Sequence, residues 1–170
     1  MSTEIRLALD VPRWAWRFYL RHLPVIVGLS LVASLQRLVV VNWGDHIPGP
    51  VAVTSEVVVM AVRILLVVVI WRLAMRDVPW RWDNLPVFAR RHWPSLVIQG
   101  LLLSVAFLIF DVVAENVVSG FLAEDQQAAY LGVLLFVKNP TVIALTMVWW
   151  VGLARQVLRE APETAAAPVR

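Results

Sequence analysis

Phe18-Tyr19-Leu20-Arg21-His22-Leu23-Pro24 heads a run of about twenty mostly apolar residues, and 70 positions later Phe88-Ala89-Arg90-Arg91-His92-Trp93-Pro94 heads another. Upstream of each lies a second shared phrase. Arg6-Leu7-Ala8-Leu9-Asp10-Val11-Pro12, followed by Trp14 and Trp16, answers Arg72-Leu73-Ala74-Met75-Arg76-Asp77-Val78-Pro79, followed by Trp80 and Trp82. Val and Leu matches are cheap in an oily chain, so the weight rests on Arg, His, Pro and Trp, which a bilayer's demand for apolar residues does not dictate. The expected fold is therefore an all-α integral membrane protein, built as two parallel-repeat helical hairpins with four transmembrane helices.

Composition agrees. The 170 residues are 60% hydrophobic and 16% charged, with a mean hydropathy of +0.74, far from the roughly half apolar and quarter charged residues of soluble domains. Cysteine is absent, which excludes disulfides, thiolate metal sites and thiol nucleophiles. The pI near 10.2 comes from basic residues distributed by membrane side, not gathered into one basic domain, so nucleic acid is not an expected partner.

Four segments have the length of a membrane-crossing helix: Pro24 to Trp43, Val51 to Trp71, Pro94 to about Ala114, and Pro140 to about Leu158. Backbone in lipid must bond to itself, so helix is expected despite the many valines. Pro24, Pro94 and Pro140 suit a first helical turn, which loses no intrahelical donor. The corresponding divisions are an interfacial N-terminal segment 1–23, a hairpin 24–76, a basic loop 77–93, a second hairpin 94–158 containing an outer-face loop 116–139, and a disordered tail 159–170. No cleavable leader is expected, since the first apolar run is long and begins far into the chain.

Arg6, Arg13, Arg17 and Arg21 precede the first span; Arg72, Arg76, Arg81, Arg90 and Arg91 lie between the second and third; Arg155, Arg159 and Arg170 lie near or after the fourth. Only Lys138 falls in the opposite connections. The positive-inside rule then places both termini in the cytoplasm and the chain in a plasma (inner) membrane as a multi-pass protein. Trp14, Trp16, Trp71, Trp80, Trp82, Trp93, Trp149 and Trp150 mark the same side, with Trp43 alone opposite.

Short interfacial helices are expected before spans one and three. Arg13, Arg17 and Arg21 recur at i, i+4, i+8 beside Trp14 and Phe18, a basic stripe next to an aromatic one suited to anionic headgroups. Asp83 is the expected N-cap of the counterpart, which carries Arg90 and Arg91. Ser30-x-x-x-Ser34 and Gly100-x-x-x-Ser104 occupy equivalent positions, and small residues four apart let helices approach, so spans one and three are expected to meet at the centre. Leu131 to Val137, ended by Lys138-Asn139-Pro140, reads as an outer interfacial or re-entrant helix. The rival is a fourth span that begins near Ala128, kinks at Pro140 and buries Lys138.

His22, His46 and His92 show no metal-ligand spacing, and no metalloprotease, nucleophile-elbow or phosphate-loop motif is present. Asp45-His46 is a solvated loop pair. No catalytic residue, metal or cofactor is expected, and the chain reads as a non-enzyme.

Chemistry concentrates instead in charges inside the apolar segments, each costing at least about 2.5–3.5 kcal/mol at mid-bilayer. Arg37 lies about 20 Å beyond Pro24 and Asp111 about 26 Å beyond Pro94, so an Arg37–Asp111 ion pair shared with Glu115 is expected. Arg63 has no carboxylate at its depth, with Gln99 and Ser104 the nearest polar candidates. Arg63 and Gln99, with Arg13, Arg17, Arg21, Arg90 and Arg91, are therefore expected to meet a partner or lipids.

The functional expectation is an accessory subunit or scaffold in a larger plasma-membrane assembly moving lipids or other envelope components, partnered by membrane lipids and by other integral subunits or itself. The rival is a small homo-oligomeric solute or ion transporter with a path lined by Arg37, Arg63, Asp111 and Glu115.

Overall fold

Hydrogen bonding that closes within each segment is the rule throughout: in the computed structural model, which describes residues 2–79 and 81–159, all regular structure is helical. The expected tail beyond Arg159, with Arg170, and Trp80 lie outside the described residues. The helices are α1 (Ser2–Arg21), α2 (Leu23–Trp43), α3 (Gly49–Ala74), α4 (Asn84–Arg91), α5 (Trp93–Phe107), α6 (Glu124–Lys138) and α7 (Ala144–Arg159). Two wider π-helical stretches extend them, Leu108–Val118 after α5 and Asn139–Ile143 between α6 and α7. Four continuous helical stretches result that are long and apolar enough to cross a membrane: Leu23–His46, Gly49–Ala74, Trp93–Val118 and Gln126–Arg159.

Both entry phrases fold alike. His22 and His92 stand between helices with nearly equal backbone angles, φ −111°, ψ 21° and φ −118°, ψ 27°. Each donates its backbone N–H to the carbonyl four residues earlier, Phe18 at 3.1 Å and Phe88 at 2.8 Å, and each ring lies against that Phe. A proline two residues on cannot donate to a preceding carbonyl, so one helix ends and the next begins there. Asp83 occupies the position before α4 but its side chain makes no capping bond.

The fourth apolar helix departs from the expected re-entrant reading. α6, the π turn and α7 run on through Pro140, and Lys138 is buried. Pro140 removes one backbone donor and crowds the preceding turn, and the helix widens there rather than stopping. This long helix runs antiparallel first to α2 and then to α1. Gly132 lies so close to α2 that an added Cβ would stand 2.7 Å from Asn42 and 3.2 Å from Leu38. Further along, Gly152 lies under Trp14, where a Cβ would come within 2.7 Å of the ring. Tyr19 donates to the Pro140 carbonyl at 2.8 Å, and burial pushes its phenol above the ordinary pKa, so it stays protonated as a donor.

The core follows from these contacts: Ala15, Phe18 and Tyr19 of α1, Ile26 of α2, Leu66 and Ile70 of α3, and Ala144, Val148 and Val151 of α7. α1 is longer than the short helix expected. It presents Ala8, Val11, Ala15, Phe18 and Tyr19 to this core and leaves Arg13, Arg17 and Arg21 exposed on its other side.

The expected central contact between spans one and three is not formed. α2 packs against α3, α6 and the Asn139–Ile143 turn, whereas α5 packs against α1 and α4. The fourth helix, lengthened by its early start, occupies the α2 face that was assigned to the third. Only 6% of the third apolar helix's most apolar window is buried, against 33% for the fourth.

Candidate functional site

A polar network ties the entry end of the third helix to its neighbours. Gln99, 1% exposed, accepts from the Trp149 indole at 3.3 Å and donates to Gln156 at 3.2 Å, and Gln156 donates to the Leu7 carbonyl at 2.9 Å. Glu4 of α1 meets the His92 ring at 2.9 Å. Arg155 donates to the Ala74 carbonyl at 3.0 Å and lies over the Trp14 ring, and Asn84 reaches the Leu158 carbonyl. Gln99 is thus a buried bridge among α1, α5 and α7. It is neither beside Arg63 nor open to lipid, as expected from depth alone.

The far end of the third helix is held differently. Lys138, 5% exposed, extends its ammonium between Asp111 and Glu115, bonding both. The two carboxylates lie one turn apart on the Leu108–Val118 stretch, so both reach one side chain of the fourth helix. Tyr130 adds a bond to the Ala114 carbonyl at 2.9 Å. The expected Arg37–Asp111 pair is therefore not made, because the buried lysine of the nearer helix takes both acids.

Arg37 meets Glu56 of α3 instead, at 3.8 Å, and Gln36 donates to the same carboxylate at 2.9 Å. Glu56 escaped the sequence reading, yet it and Arg37 lie about equally far along the chain from the Gly44–Pro48 turn. Antiparallel hairpin geometry alone brings them level.

Arg63 finds its partner within the chain. Its guanidinium donates to the Asn139 side chain at 3.3 Å, beside Ser30 and Met147. Asn139 was read as part of a loop stop, and the continuous helix carries it inward.

Ser30 and Ser34 are buried at 4% and 0%; Ser30 faces α3 and the fourth helix, and the Ser34 hydroxyl donates back to the Ser30 carbonyl at 3.2 Å. Gly100 and Ser104 are exposed, and a Cβ on Gly100 would meet nothing within 4 Å. They form one wall of a cleft of about 610 Å³ between the third and fourth helices. Leu103 and Phe107 continue that wall, Val142, Thr146, Met147 and Trp150 form the other, and Asp111 and Lys138 close the far end. Arg13 pairs with Asp10 at 4.0 Å on the exposed side of α1; Arg17 and Arg21 line the same side, and Arg90 and Arg91 are exposed at the end of α4.

Chemically this is a long apolar slot closed at one end by Asp111 and the buried Lys138, two members of the ion triad. Among the described residues no three His, Asp or Glu stand close enough to share a metal ion. Compared with protein families, with curated proteins and with solved structures, the chain finds no match.

Proposed function

We propose that the chain is a multi-pass plasma-membrane protein, a duplicated pair of parallel hairpins with both termini cytoplasmic, acting without catalysis as an accessory subunit or scaffold in an assembly that handles lipids or other envelope components. The observation that carries this reading is the third apolar helix. Of its residues only Ser95 and Gln99 are buried by its own chain, and Leu101, Phe107 and Leu108 stand more than half exposed. Lateral packing in lipid needs such an open face, and the side of this helix outside the cleft, with Leu101, Val105 and Leu108 exposed, is the one offered to a partner.

The intramembrane charges favour a scaffold over the transporter reading. Arg37, Arg63 and Lys138 each have a partner on a different helix, a pattern suited to clamping helices together. Orientation rests on the arginines flanking α1, α4 and α7.

The test is purification of the tagged protein in a mild detergent, followed by mass spectrometry. Foreign integral-membrane subunits in stoichiometric amount are expected. A pure self-oligomer whose reconstituted vesicles pass a solute, with the flux lost on neutralising Arg37, Asp111 and Glu115, replaces the reading with the transporter. Reporter fusions in the 77–93 loop are expected on the cytoplasmic side.

A further inference from the structure

We propose that the cleft between the third and fourth apolar helices binds a phospholipid whose headgroup ends in a primary ammonium, with that ammonium on Asp111 and an acyl chain along the cleft. The inference rests on the membrane reading above and adds a ligand class to it.

Charge at the far end selects the headgroup. Two carboxylates face one ammonium, so the triad carries one negative charge more than it neutralises. Exposure is divided the same way: Lys138 is sealed at 5%, while Asp111 and Glu115 keep 32% and 29%. A ligand in the cleft meets Asp111 beside the nearly sealed Lys138, whose charge Glu115 offsets from outside the cleft lining. Arg63 does not fill the deficit, because Asn139 holds it in a separate recess beside Ser30. A primary ammonium has three N–H donors for these oxygens, whereas a trimethylated one has none and an anionic headgroup is repelled.

Depth selects a lipid over a free amine. Asp111 lies about 27 Å along the third helix from Trp93, near the far edge of a hydrocarbon core of about 30 Å. The cleft descends from there toward Gly100, closer to mid-membrane, between apolar walls. A headgroup at the triad and a chain along the slot thus place a lipid at its natural depth in the leaflet opposite the arginine-rich ends. The cleft volume of about 610 Å³ falls within the range of ligand sites.

The experiment is native mass spectrometry of the detergent-purified full chain, exchanged against equal amounts of phosphatidylethanolamine, phosphatidylcholine and phosphatidylglycerol of identical chains. Retention of the ethanolamine lipid roughly tenfold above the choline lipid is expected, the worth of one charge-assisted hydrogen bond. Glu115→Gln is expected to erase that preference while leaving chain binding. Gly100→Leu, which projects into open space and fills the slot, is expected to abolish retention of all three lipids. Equal retention of the three by the native chain overturns the headgroup assignment. Retention unchanged in Gly100→Leu overturns the cleft, as does a foreign polypeptide photo-crosslinked from position 104 in place of lipid. Failure of the membrane reading shows separately, as protein that does not float with vesicles made of the same lipids.

Discussion

Ser30-x-x-x-Ser34 and Gly100-x-x-x-Ser104 sit at the same place in two matching phrases, yet one is packed and the other faces an empty slot. Both border the fourth helix, Ser30 across a recess beside Asn139 and Ile143, Gly100 across the cleft from Val142 and Thr146. The difference lies in what holds each helix to the fourth. α2 lays its Leu38 and Asn42 side chains directly over Gly132, whereas among the described residues the polar bonds from the third helix to the fourth lie near its ends, at Gln99, the Lys138 triad and Ala114. A helix fixed at two ends and open between them leaves a cleft. Equivalent sequence thus produces a filled and a vacant face, because packing is decided by the neighbour.

The largest effect should come from removing the far pin. Lys138→Met leaves Asp111 and Glu115, 32% and 29% exposed, side by side with no cation; breaking a fully buried pair costs about 3–5 kcal/mol, and solvent reaching these acids lowers that to about 2–4 kcal/mol. Thermal unfolding in detergent should show the loss, and proteolysis should show the third helix released before the rest. Adding Asp111→Asn and Glu115→Gln to the same chain should recover most of the stability, since the unpaired charges are then gone. If the single variant unfolds like the parent, the triad is not what holds this end.

The near pin should matter next. Gln99→Leu leaves the side-chain carbonyl of the half-buried Gln156 and the half-buried Trp149 indole without that partner, at about 1–3 kcal/mol. Gly152→Ala falls in the same range, about 1–3 kcal/mol for overpacking, because its methyl would meet a Trp14 ring that is itself wedged against Arg155. Unfolding midpoints should separate both from Gly132→Ala, where the obstructing atom belongs to the exposed Asn42 side chain and can swing away.

How much of this was legible before the fold was known follows from the range of each force. The four apolar stretches and both histidine breaks were legible, because a bilayer imposes length and polarity locally and proline acts on its own turn. The start of the fourth helix was not. Lys138-Asn139-Pro140 looks like a stop unless one knows that Asp111 and Glu115 wait across the cleft and Arg63 beside Asn139. Charge partners were misassigned for the same reason: axial depth can be counted along a chain, but the angular placement that decides which helix faces which cannot. Glu56 is the exception, since a tight hairpin fixes both, and the Arg37–Glu56 pair could have been found. Gly152 carried no local sign of its importance, with Val148 and Gln156 four positions to either side, whereas Gly132 has Ala128 one turn before it, a small-residue pair that could have marked a seam.

The smallest effect is the most discriminating for the comparison of the two faces. Gly100→Ala adds a methyl that meets nothing and replaces a residue that weakens helices, so it should be neutral or should stabilise the isolated chain by about 0.5–1 kcal/mol. Ser34→Leu, one turn beyond Ser30, the residue 70 positions before Gly100, should instead destabilise it, since Ser34 is 0% exposed. The contrast should reverse in the native membrane if the vacant face is a binding surface: Gly100→Leu would then leave unfolding in detergent unchanged yet strip what co-purifies from the membrane. A Gly100→Leu variant that unfolds as Ser34→Leu does would mean that the two faces are equally packed, and the vacant cleft would be lost with it.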